Sequence, residues 1–452
     1  MPVKRHAICY DGFVATLRRS LHLPDATALV IGCVIGAGIF RTAASISKHL
    51  HEPWLVMAVW AAGGFISFCG ALCYAELAAA YPKTGGDYVY IRKAYGPAAG
   101  FLFGWTKLFT ERVGTIAVLG SVFAEYAASV LGLSPIQTKE LATLGILLLT
   151  WANIAGIHIG KGVQNGLTAV KLFALLMIIG IGLSMAPAGA AASGLKVSSL
   201  DLSTLQAFGV ALVFVLWTYG GWTESAYVAE EIHDPHRNLP WSILLGLSVV
   251  TLLYLAVNWV YMRVIPLAEM PGTPLVAAEV MRRSLGPIGA TLTSLMIASS
   301  AFGALNGYIL TSGRILLAVG QDHPLFSRLA EVHPVFATPA RALGFNALIA
   351  VLLVWVGTFD QIVTYSTVVI SVFFAMAALA VIVLRVRDPE TPRPYRVWGY
   401  PATPVLFVLA LGLFIANIAW TEPKEAALGF LLAGLGIPVY FMSRGKRKER
   451  SG

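Results

Sequence analysis

Two glycine clusters inside strongly apolar runs are the features of this chain best suited to bind a small molecule. One is Gly36-Ala37-Gly38 and the other is Gly220-Gly221. Glycine costs about 1 kcal/mol relative to alanine inside a helix, so each cluster is a place where a helix can break. A broken helix exposes N–H groups on one side and C=O groups on the other, which suit a carboxylate and an ammonium. The alternative for either cluster alone is close packing of two helices.

The residues around these breaks are predicted to bind a zwitterion such as an amino acid. The N–H groups of Ala37, Gly38 and Ile39 would hold the carboxylate. The carbonyls near Val34 and Trp217 would face the ammonium. The side chains here are small or are bulky and apolar, which favours a substrate with a neutral side chain. The full predicted substrate-binding set is Val34, Ile35, Gly36, Ala37, Gly38, Ile39, Trp217, Tyr219, Gly220, Gly221 and Trp222.

Lys171 lies in the middle of another apolar run, where a charge costs roughly 2.5–3.5 kcal/mol on insertion scales. Its ammonium has three donors and can replace a bound cation among carbonyls and hydroxyls. Ser299, Ser300 and Asn306 are its predicted acceptors. A fixed charge here would make sodium unnecessary, whereas a lysine that titrates would carry a proton. Snorkelling of the side chain to the membrane surface is the alternative.

Three more charged residues stand out in apolar surroundings. Glu224 follows the second glycine cluster and has no evident partner along the sequence. We expect it to face the site or to accept a hydrogen bond. Lys107 and Glu111 are four residues apart, so they are predicted to pair on one helix face as a structural ion pair.

The composition requires that these residues be positioned within a membrane. Of 452 residues, 57% are hydrophobic and only 12% are charged, about half of the charged fraction typical of soluble domains. A single soluble core stops growing at roughly 250–300 residues, which excludes an ordinary soluble protein. Four cysteines support no disulfide framework, and the N-terminus lacks the pattern of a cleaved signal peptide. We therefore predict an all-α integral membrane protein.

Twelve apolar runs approach or exceed the roughly 20 residues that a membrane-spanning helix needs. They cover residues 24–47, 54–80, 98–131, 140–158, 162–187, 204–231, 239–265, 286–318, 341–358, 361–385, 402–420 and 424–443. With the N-terminus inside, most Lys and Arg residues fall in cytoplasmic segments. The positive-inside rule then predicts that both termini are cytoplasmic.

The glycine clusters occupy corresponding positions in two predicted halves of the chain. Each interrupts the first span of a five-helix block, which is a sequence pointer to a secondary transporter site at the middle of the membrane. The predicted organisation is an N-terminal segment, two five-helix blocks, two additional helices and a basic tail. Their bounds are 1–23, 24–187, 204–385, 402–443 and 444–452.

Four stretches of this chain resemble the amino acid–polyamine–organocation superfamily, and within it the L-type amino acid transporters. They are GCVIGAGIF at 32–40, CYAELAAAYPKTGGDYVYI at 73–91, VQNGLTAVKLFALLMIIG at 163–180 and YGGWTESAYVAEEIHDPHRNLP at 219–240. The resemblance runs in order from about residue 24 to 345, and the last two spans match in hydropathy alone. The L-type family usually has serine where this chain has Ala37, a departure that bears on selectivity.

The resemblance implies a fold like that of the bacterial leucine transporter. This fold has five plus five inverted helices, two extra helices, and alternating access around broken spans 1 and 6. It also implies that Trp217 closes over the substrate, with aromatic packing as the alternative. It further implies that Lys171 takes the place of a sodium ion and ties the fifth span to the first and eighth.

Partners and location are also inferred from the resemblance. Eukaryotic light chains of this family bond a heavy subunit through a cysteine between spans 3 and 4. The corresponding segment, Leu131 to Glu140, contains none, so no heavy-chain subunit is expected. The short loops favour a bacterial inner-membrane protein.

The favoured function is transport of neutral L-amino acids by sodium-independent exchange or facilitated flux. The alternatives are proton-coupled symport, antiport of cationic amino acids or polyamines, and a non-transporting amino acid sensor. The sequence lacks GxxxxGK[ST], HExxH and GxSxG, so neither an ATP-driven pump nor a hydrolase is expected. It also lacks a basic stripe with interleaved aromatics for nucleic acid. No cofactor and no metal are expected.

Overall fold

The computed structural model describes residues 21–83, 85–156, 161–185, 201–322, 326, 331, 333, 336 and 338–448. Most of the predicted N-terminal segment and the last four residues of the basic tail lie outside the described residues. Regular structure in the described part of the chain is helical. It has one isolated parallel bridge, between Leu21 and Ile232.

The first half of the described chain contains eight α-helices, interrupted by one π-helical segment at Lys107–Arg112. These helices are α1 (Leu23–Val34), α2 (Gly38–Ser47), α3 (Pro53–Ala80), α4 (Asp87–Tyr95), α5 (Pro97–Thr106), α6 (Val113–Leu131), α7 (Pro135–Ile154) and α8 (Lys161–Ser184).

The second half adds eight described α-helices, with short 3₁₀ segments at Glu224–Glu231 and Met270–Gly272. These helices are α9 (Leu202–Tyr219), α10 (Pro235–Val264), α11 (Val276–Asp322), α12 (Ala340–Val356), α13 (Phe359–Arg387), α14 (Ala402–Thr421), α15 (Pro423–Gly434) and α16 (Gly436–Lys448).

Nine helical stretches of the described chain are long and apolar enough to cross a membrane. Two shorter apolar helices, Thr168–Ser184 and Ala340–Val356, accompany them. Large apolar side chains such as Leu413 and Trp420 are about three-quarters exposed on the outside of the bundle. Lipid is the medium that accepts such a surface. The chain is thus a multi-pass membrane protein, and twelve spans in an inverted repeat remain a prediction.

The first span breaks at its predicted glycine cluster. Helix α1 ends at Val34 and α2 begins at Gly38, with Ala37 as its N-cap residue. The second break follows the end of α9 at Tyr219, and Gly221 has a φ of 99°, which favours glycine. The chain then continues as the 3₁₀ segment Glu224–Glu231 rather than as an α-helix.

Several elements differ from the predicted spans. Helix α4 lies in the stretch that we predicted as a loop between the second and third spans. Helix α11 starts ten residues before the predicted eighth span because a kink at Gly286, with a φ of 71°, joins an extra helical stretch to it. Pro287 follows that kink and cannot donate the backbone hydrogen bond of a continuous helix.

A polar cluster around Asp388, here called the Asp388 cluster, fastens α4 to the end of α13 at the predicted cytoplasmic side. Asp388 lies 2.8 Å from the Lys93 Nζ and accepts hydrogen bonds from the Thr391 and Tyr81 hydroxyls at 2.8 and 3.0 Å. These donors favour the ionised form and lower the pKa of Asp388 to about 2. The Asp388 cluster connects the segment between the second and third predicted spans to the end of the second predicted five-helix block.

Candidate functional site

A cavity lies where the two broken spans meet. Its walls come from both breaks and from α3, the π-helical segment, α6, α11, α13 and α14. The residues contributed by the two breaks are Cys33, Val34, Gly36, Ala37, Gly38, Trp217, Thr218, Gly220, Gly221, Trp222, Thr223 and Glu224. The residues that can offer unpaired backbone groups therefore surround one space.

Two glycines allow the breaks to approach each other. A Cβ on Gly221 would lie 2.9 Å from the Cys33 carbonyl oxygen. A Cβ on Gly38 would lie 2.9 Å from both the Trp217 ring and the Thr218 hydroxyl. Gly36 differs, because its nearest neighbour would be 3.8 Å away. Close packing therefore requires glycine at 38 and 221, while the space beside Gly36 belongs to the cavity.

The end of α1 frees a carbonyl that Lys171 binds. The Gly36 amide donates to the Val34 carbonyl at 2.7 Å instead of to the Gly32 carbonyl four residues back. The Gly32 oxygen accepts a 2.8 Å hydrogen bond from Lys171 Nζ, whose residue is only 1% exposed. The lysine on α8 therefore holds the first broken span at the point where its helix ends.

The acceptors predicted for Lys171 on the eighth span have other roles in the structure. The Ser299 hydroxyl is exposed and donates to the carbonyl of Leu295 in its own helix. The Asn306 amide oxygen accepts from Asn153 on α7 at 2.8 Å. Ser300 is buried without a described hydrogen-bond partner. The prediction of these acceptors was wrong because a helix break supplies a closer carbonyl than the side chains of α11.

Tyr254 on α10 bridges the two breaks and was not predicted. Its hydroxyl donates to the Val34 carbonyl at 2.8 Å and lies 3.4 Å from the Thr218 carbonyl. Both oxygens belong to the helix ends that were predicted to face an ammonium. A lone tyrosine in an apolar run carries no sequence signal for this contact, because the contact depends on how α10 packs against α1 and α9.

Eight of the eleven residues predicted to bind substrate line the cavity. They are Val34, Gly36, Ala37, Gly38, Trp217, Gly220, Gly221 and Trp222. Ile35, Ile39 and Tyr219 do not line it and are fully buried. The Tyr219 hydroxyl donates to the Trp60 carbonyl at 3.2 Å. The side chains of these three residues pack beside the cavity, because neighbouring residues of a helical turn point in different directions. Substrate binding through their backbone groups stays a prediction.

Trp217 lines the cavity and is the first residue of a series of contacts. Its ring meets the Phe359 ring edge to face at 5.6 Å between centroids. The Arg41 guanidinium lies 4.7 Å from the centroid of the Phe359 ring, and Arg41 Nε pairs with Glu125 at 3.0 Å. The aromatic pair therefore connects the cavity wall at Trp217 to this ion pair.

The start of α13 fastens α2 on the same side. Lys48 Nζ lies 2.7 Å from one Asp360 oxygen, and the Ser45 hydroxyl donates to the other at 2.7 Å. The Tyr126 hydroxyl on α6 donates to the Phe40 carbonyl at 2.7 Å. Helix α2 is thus held by both α6 and α13, at the predicted outer side.

Glu224 has a partner that the sequence did not indicate. Arg112, at the end of the π-helical segment, donates to its two carboxylate oxygens at 3.0 and 3.4 Å. Both residues are buried. The predicted pair of Lys107 and Glu111 also forms, with 3.1 Å between Nζ and Oε2. The guanidinium of Arg112 in addition lies 4.8 Å from the ring centroid of Tyr308.

The described residues contain no group of three or more His, Cys, Asp or Glu side chains that could hold a metal ion. The polar chemistry of the cavity is that of backbone groups, hydroxyls and paired charges.

Comparison with known proteins shows one consistent similarity. The profile of the amino acid permease family matches residues 21–442. The b(0,+)-type amino acid transporter 1 of Mus musculus is 31% identical over 432 residues, which cover 94% of this chain and 88% of the mouse protein. The Large neutral amino acids transporter small subunit 2 of Homo sapiens is 31% identical over 433 residues, covering 94% and 80%. The b(0,+)-type protein of Rattus norvegicus is 32% identical over 429 residues, covering 93% and 87%.

Proposed function

This chain belongs to the amino acid permease family of the amino acid–polyamine–organocation superfamily, and on that premise we propose that it carries neutral L-amino acids across the membrane. The proposed mechanism is alternating access around the two broken spans, by sodium-independent exchange or facilitated transport. The chain is a transporter and not an enzyme.

The convergence of the two breaks on one cavity carries this proposal. The first turn of α2, from Gly38, offers backbone N–H groups with no side chain capping them, so it suits a substrate carboxylate. The C-terminal ends of α1 and α9 border the same cavity, and a helix C-terminus suits an ammonium. Backbone groups of this kind recognise the part that all amino acids share, so the remaining wall of the cavity determines the side chain.

Sodium independence is supported by the position of Lys171. Its ammonium already donates to a carbonyl freed by the break in the first span. An ammonium at this point supplies the positive charge that a bound sodium ion would otherwise supply.

A neutral substrate is supported by the charge balance of the cavity wall. Glu111 and Glu224 line the cavity, and each has a basic partner within 3.1 Å. Antiport of cationic amino acids or polyamines is the alternative, since a single unpaired carboxylate would favour it. Proton-coupled symport is a further alternative, with Lys171 and Glu224 as the titratable candidates.

The proposal includes the architecture and location predicted from the sequence. The chain would consist of two inverted five-helix halves, and both termini would lie in the cytoplasm as the positive-inside rule predicts. The protein would lie in the inner membrane of a bacterium. We further propose that the chain works without a heavy-chain subunit, because the segment between α6 and α7 has no cysteine to bond one. The human relative is itself named a small subunit, so co-purification from the native membrane tests this point directly.

Transport by purified protein in liposomes tests the proposed function. Vesicles preloaded with unlabelled alanine, serine or leucine receive the labelled amino acid outside, with and without sodium and with and without an imposed pH gradient. Uptake that requires internal substrate and ignores both ions would support sodium-independent exchange. Uptake into empty vesicles without either gradient would support facilitated transport.

Two other outcomes would overturn parts of the proposal. Uptake into empty vesicles driven by the pH gradient would identify a proton symporter. Binding of amino acids without flux in any arrangement would favour the sensor.

A further inference from the structure

We propose that Arg112 is a specificity-determining residue that excludes cationic amino acids by neutralising Glu224 in the cavity wall. This inference rests on the proposed function and names the side chain that keeps the substrate neutral. Arg112 itself does not line the cavity, whereas Glu224 does.

Four ionisable groups form a chain of alternating charge beside the site. Lys107 Nζ lies 3.1 Å from Glu111, whose carboxylate lies 3.8 Å from Arg112 Nε, and Arg112 reaches Glu224 at 3.0 Å. The first three belong to the π-helical segment, and Glu224 begins the 3₁₀ segment after the second break. The four formal charges sum to zero, so a substrate in the cavity meets no net charge from them.

The Arg112–Glu224 ion pair is almost completely buried. The side chains of Arg112 and Glu224 are 0% and 4% exposed, against 15% for Glu111. The guanidinium is also held by the Thr311 hydroxyl at 3.2 Å and by the ring of Tyr308. A carboxylate in such surroundings requires a counter-charge, because desolvation makes an unpaired ion very costly. Arg112 supplies this counter-charge from outside the cavity.

The position of Glu224 makes its charge relevant to the substrate. It lies three residues beyond Gly221, whose backbone touches the end of the first span. It also shares the cavity with Trp217 and with Ala37 and Gly38 of the first break. Without Arg112, the carboxylate would face the cavity with no bidentate partner. The amino group of a lysine or ornithine side chain is then the natural counter-ion.

The experiment measures substrate choice rather than activity alone. Wild type, Arg112→Gln and Arg112→Lys are compared in liposomes preloaded with alanine, with labelled lysine and labelled alanine supplied outside. We expect little lysine uptake by wild type and by Arg112→Lys. In Arg112→Gln the ratio of lysine to alanine uptake should rise on the order of tenfold, as expected for an uncompensated charge at a binding site.

Two further variants separate charge from size. The double variant Arg112→Gln/Glu224→Gln keeps the smaller side chain at 112 and removes the unpaired carboxylate, so its lysine uptake should return to the wild-type level. Arg282→Gln is the matched control. It breaks an ion pair with Glu279, neither residue lines the cavity, and the lysine to alanine ratio should stay unchanged.

Different results would overturn this inference and the proposed function. Alanine exchange by wild type without a gain of lysine uptake in Arg112→Gln would overturn it and leave the proposed function standing. Equal lysine uptake by wild type would also overturn it. No alanine transport by wild type would instead contradict the proposed function. If Arg112→Gln does not fold, Glu224→Gln is tested instead. It leaves the Arg112 guanidinium unpaired, so uptake of labelled glutamate should rise. Unchanged glutamate uptake in that variant would overturn the inference.

Discussion

Side chains in this site mainly hold backbone groups in place. Lys171 binds the carbonyl of Gly32, and Tyr254 binds that of Val34, both at 2.8 Å. These contacts hold the end of α1 from two different helices. Hydrogen bonds that involve an ionised donor are worth roughly 1.5–3 kcal/mol, so loss of the lysine contact should slow transport.

Lys171→Ala should slow exchange about tenfold or more, because about 1.4 kcal/mol corresponds to a factor of ten. The Gly32 carbonyl would lose its donor, and the first broken span would lose its link to α8. Initial rates of alanine exchange in liposomes, with fluorescence size-exclusion profiles to check folding, measure this effect. Exposed Lys424→Ala is the control. Wild-type exchange by folded Lys171→Ala would exclude the proposed role of the lysine.

Trp217→Ala should weaken apparent substrate affinity by about tenfold or shift the preferred side-chain size, as expected when a large aromatic wall is truncated. The Trp217 ring lines the cavity and contacts Phe359. Uptake kinetics with alanine, serine and leucine measure the change. Trp259→Ala, which removes a tryptophan that is 44% exposed on α10, is the control. Unchanged kinetics for all three substrates would show that Trp217 does not close over the substrate.

Among the helices and connecting segments, α4 shows how an element outside the spans is positioned. It begins at Asp87 after two glycines with positive φ and ends at Tyr95 before a third, Gly96. The Tyr95 hydroxyl donates to the Met376 carbonyl of α13 at 2.8 Å. Asp388 adds the contact with Lys93, so the C-terminal end of α4 is held against α13.

The Asp388 cluster predicts a pH-dependent contribution to stability. The folded-state pKa of about 2 lies below the value of roughly 3.9 for an unfolded aspartate. A depressed pKa gives stability that is fully present above pH 4 and is lost as the pH falls toward 2. Asp388→Asn should therefore melt below wild type at pH 7, and the difference should shrink between pH 4 and pH 2.

Thermal unfolding in detergent across this pH range measures the effect of Asp388→Asn. Glu390→Gln is the matched control, since Glu390 is exposed in the same loop. A melting difference that stays constant down to pH 2 would exclude the ionised carboxylate as its cause.

Across the whole molecule, polar contacts tie the two halves of the chain together at both ends. At the predicted outer end, α2 is fastened to α13 through Lys48, Ser45 and Asp360. At the other end, the buried carboxylate of Glu76 on α3 accepts two hydrogen bonds from Arg385 on α13. Alternating access requires such contacts to break and form in turn. Both sets of contacts are formed in this structure.

Asp360→Asn should loosen the contacts between α2 and α13 at the predicted outer end. It weakens the contacts with Lys48 and Ser45 while leaving the Arg41–Glu125 pair intact. Hydrogen–deuterium exchange of the amides in α2 should become faster, because that helix would depend on fewer contacts. Glu140→Gln, an exposed acid at the same end, is the control. Exchange in α2 that equals wild type would show that Asp360 does not hold this end closed.

Much of the fold and part of the site could be predicted from local sequence. Glycine clusters weaken a helix wherever it packs, so both breaks were found from Gly36-Ala37-Gly38 and Gly220-Gly221. The i, i+4 spacing likewise sufficed for Lys107 and Glu111. The helix α4 was missed because it follows a loop signal and is short, with only nine residues. Ile35, Ile39 and Tyr219 lie next to the breaks but do not line the cavity, because proximity to a break does not determine which way a side chain points.

Local sequence was enough to predict a membrane-embedded helical transporter of the amino acid–polyamine–organocation superfamily and the two points where its helices break. These properties depend on hydropathy, glycine content and short motifs, all of which are local. The partners of the buried charges became known from the tertiary structure. Arg112 and Glu224 are 112 positions apart, and Lys171 and Gly32 are 139 apart. Such pairs form because helix packing brings distant segments together, and desolvation then selects the group that can satisfy each charge.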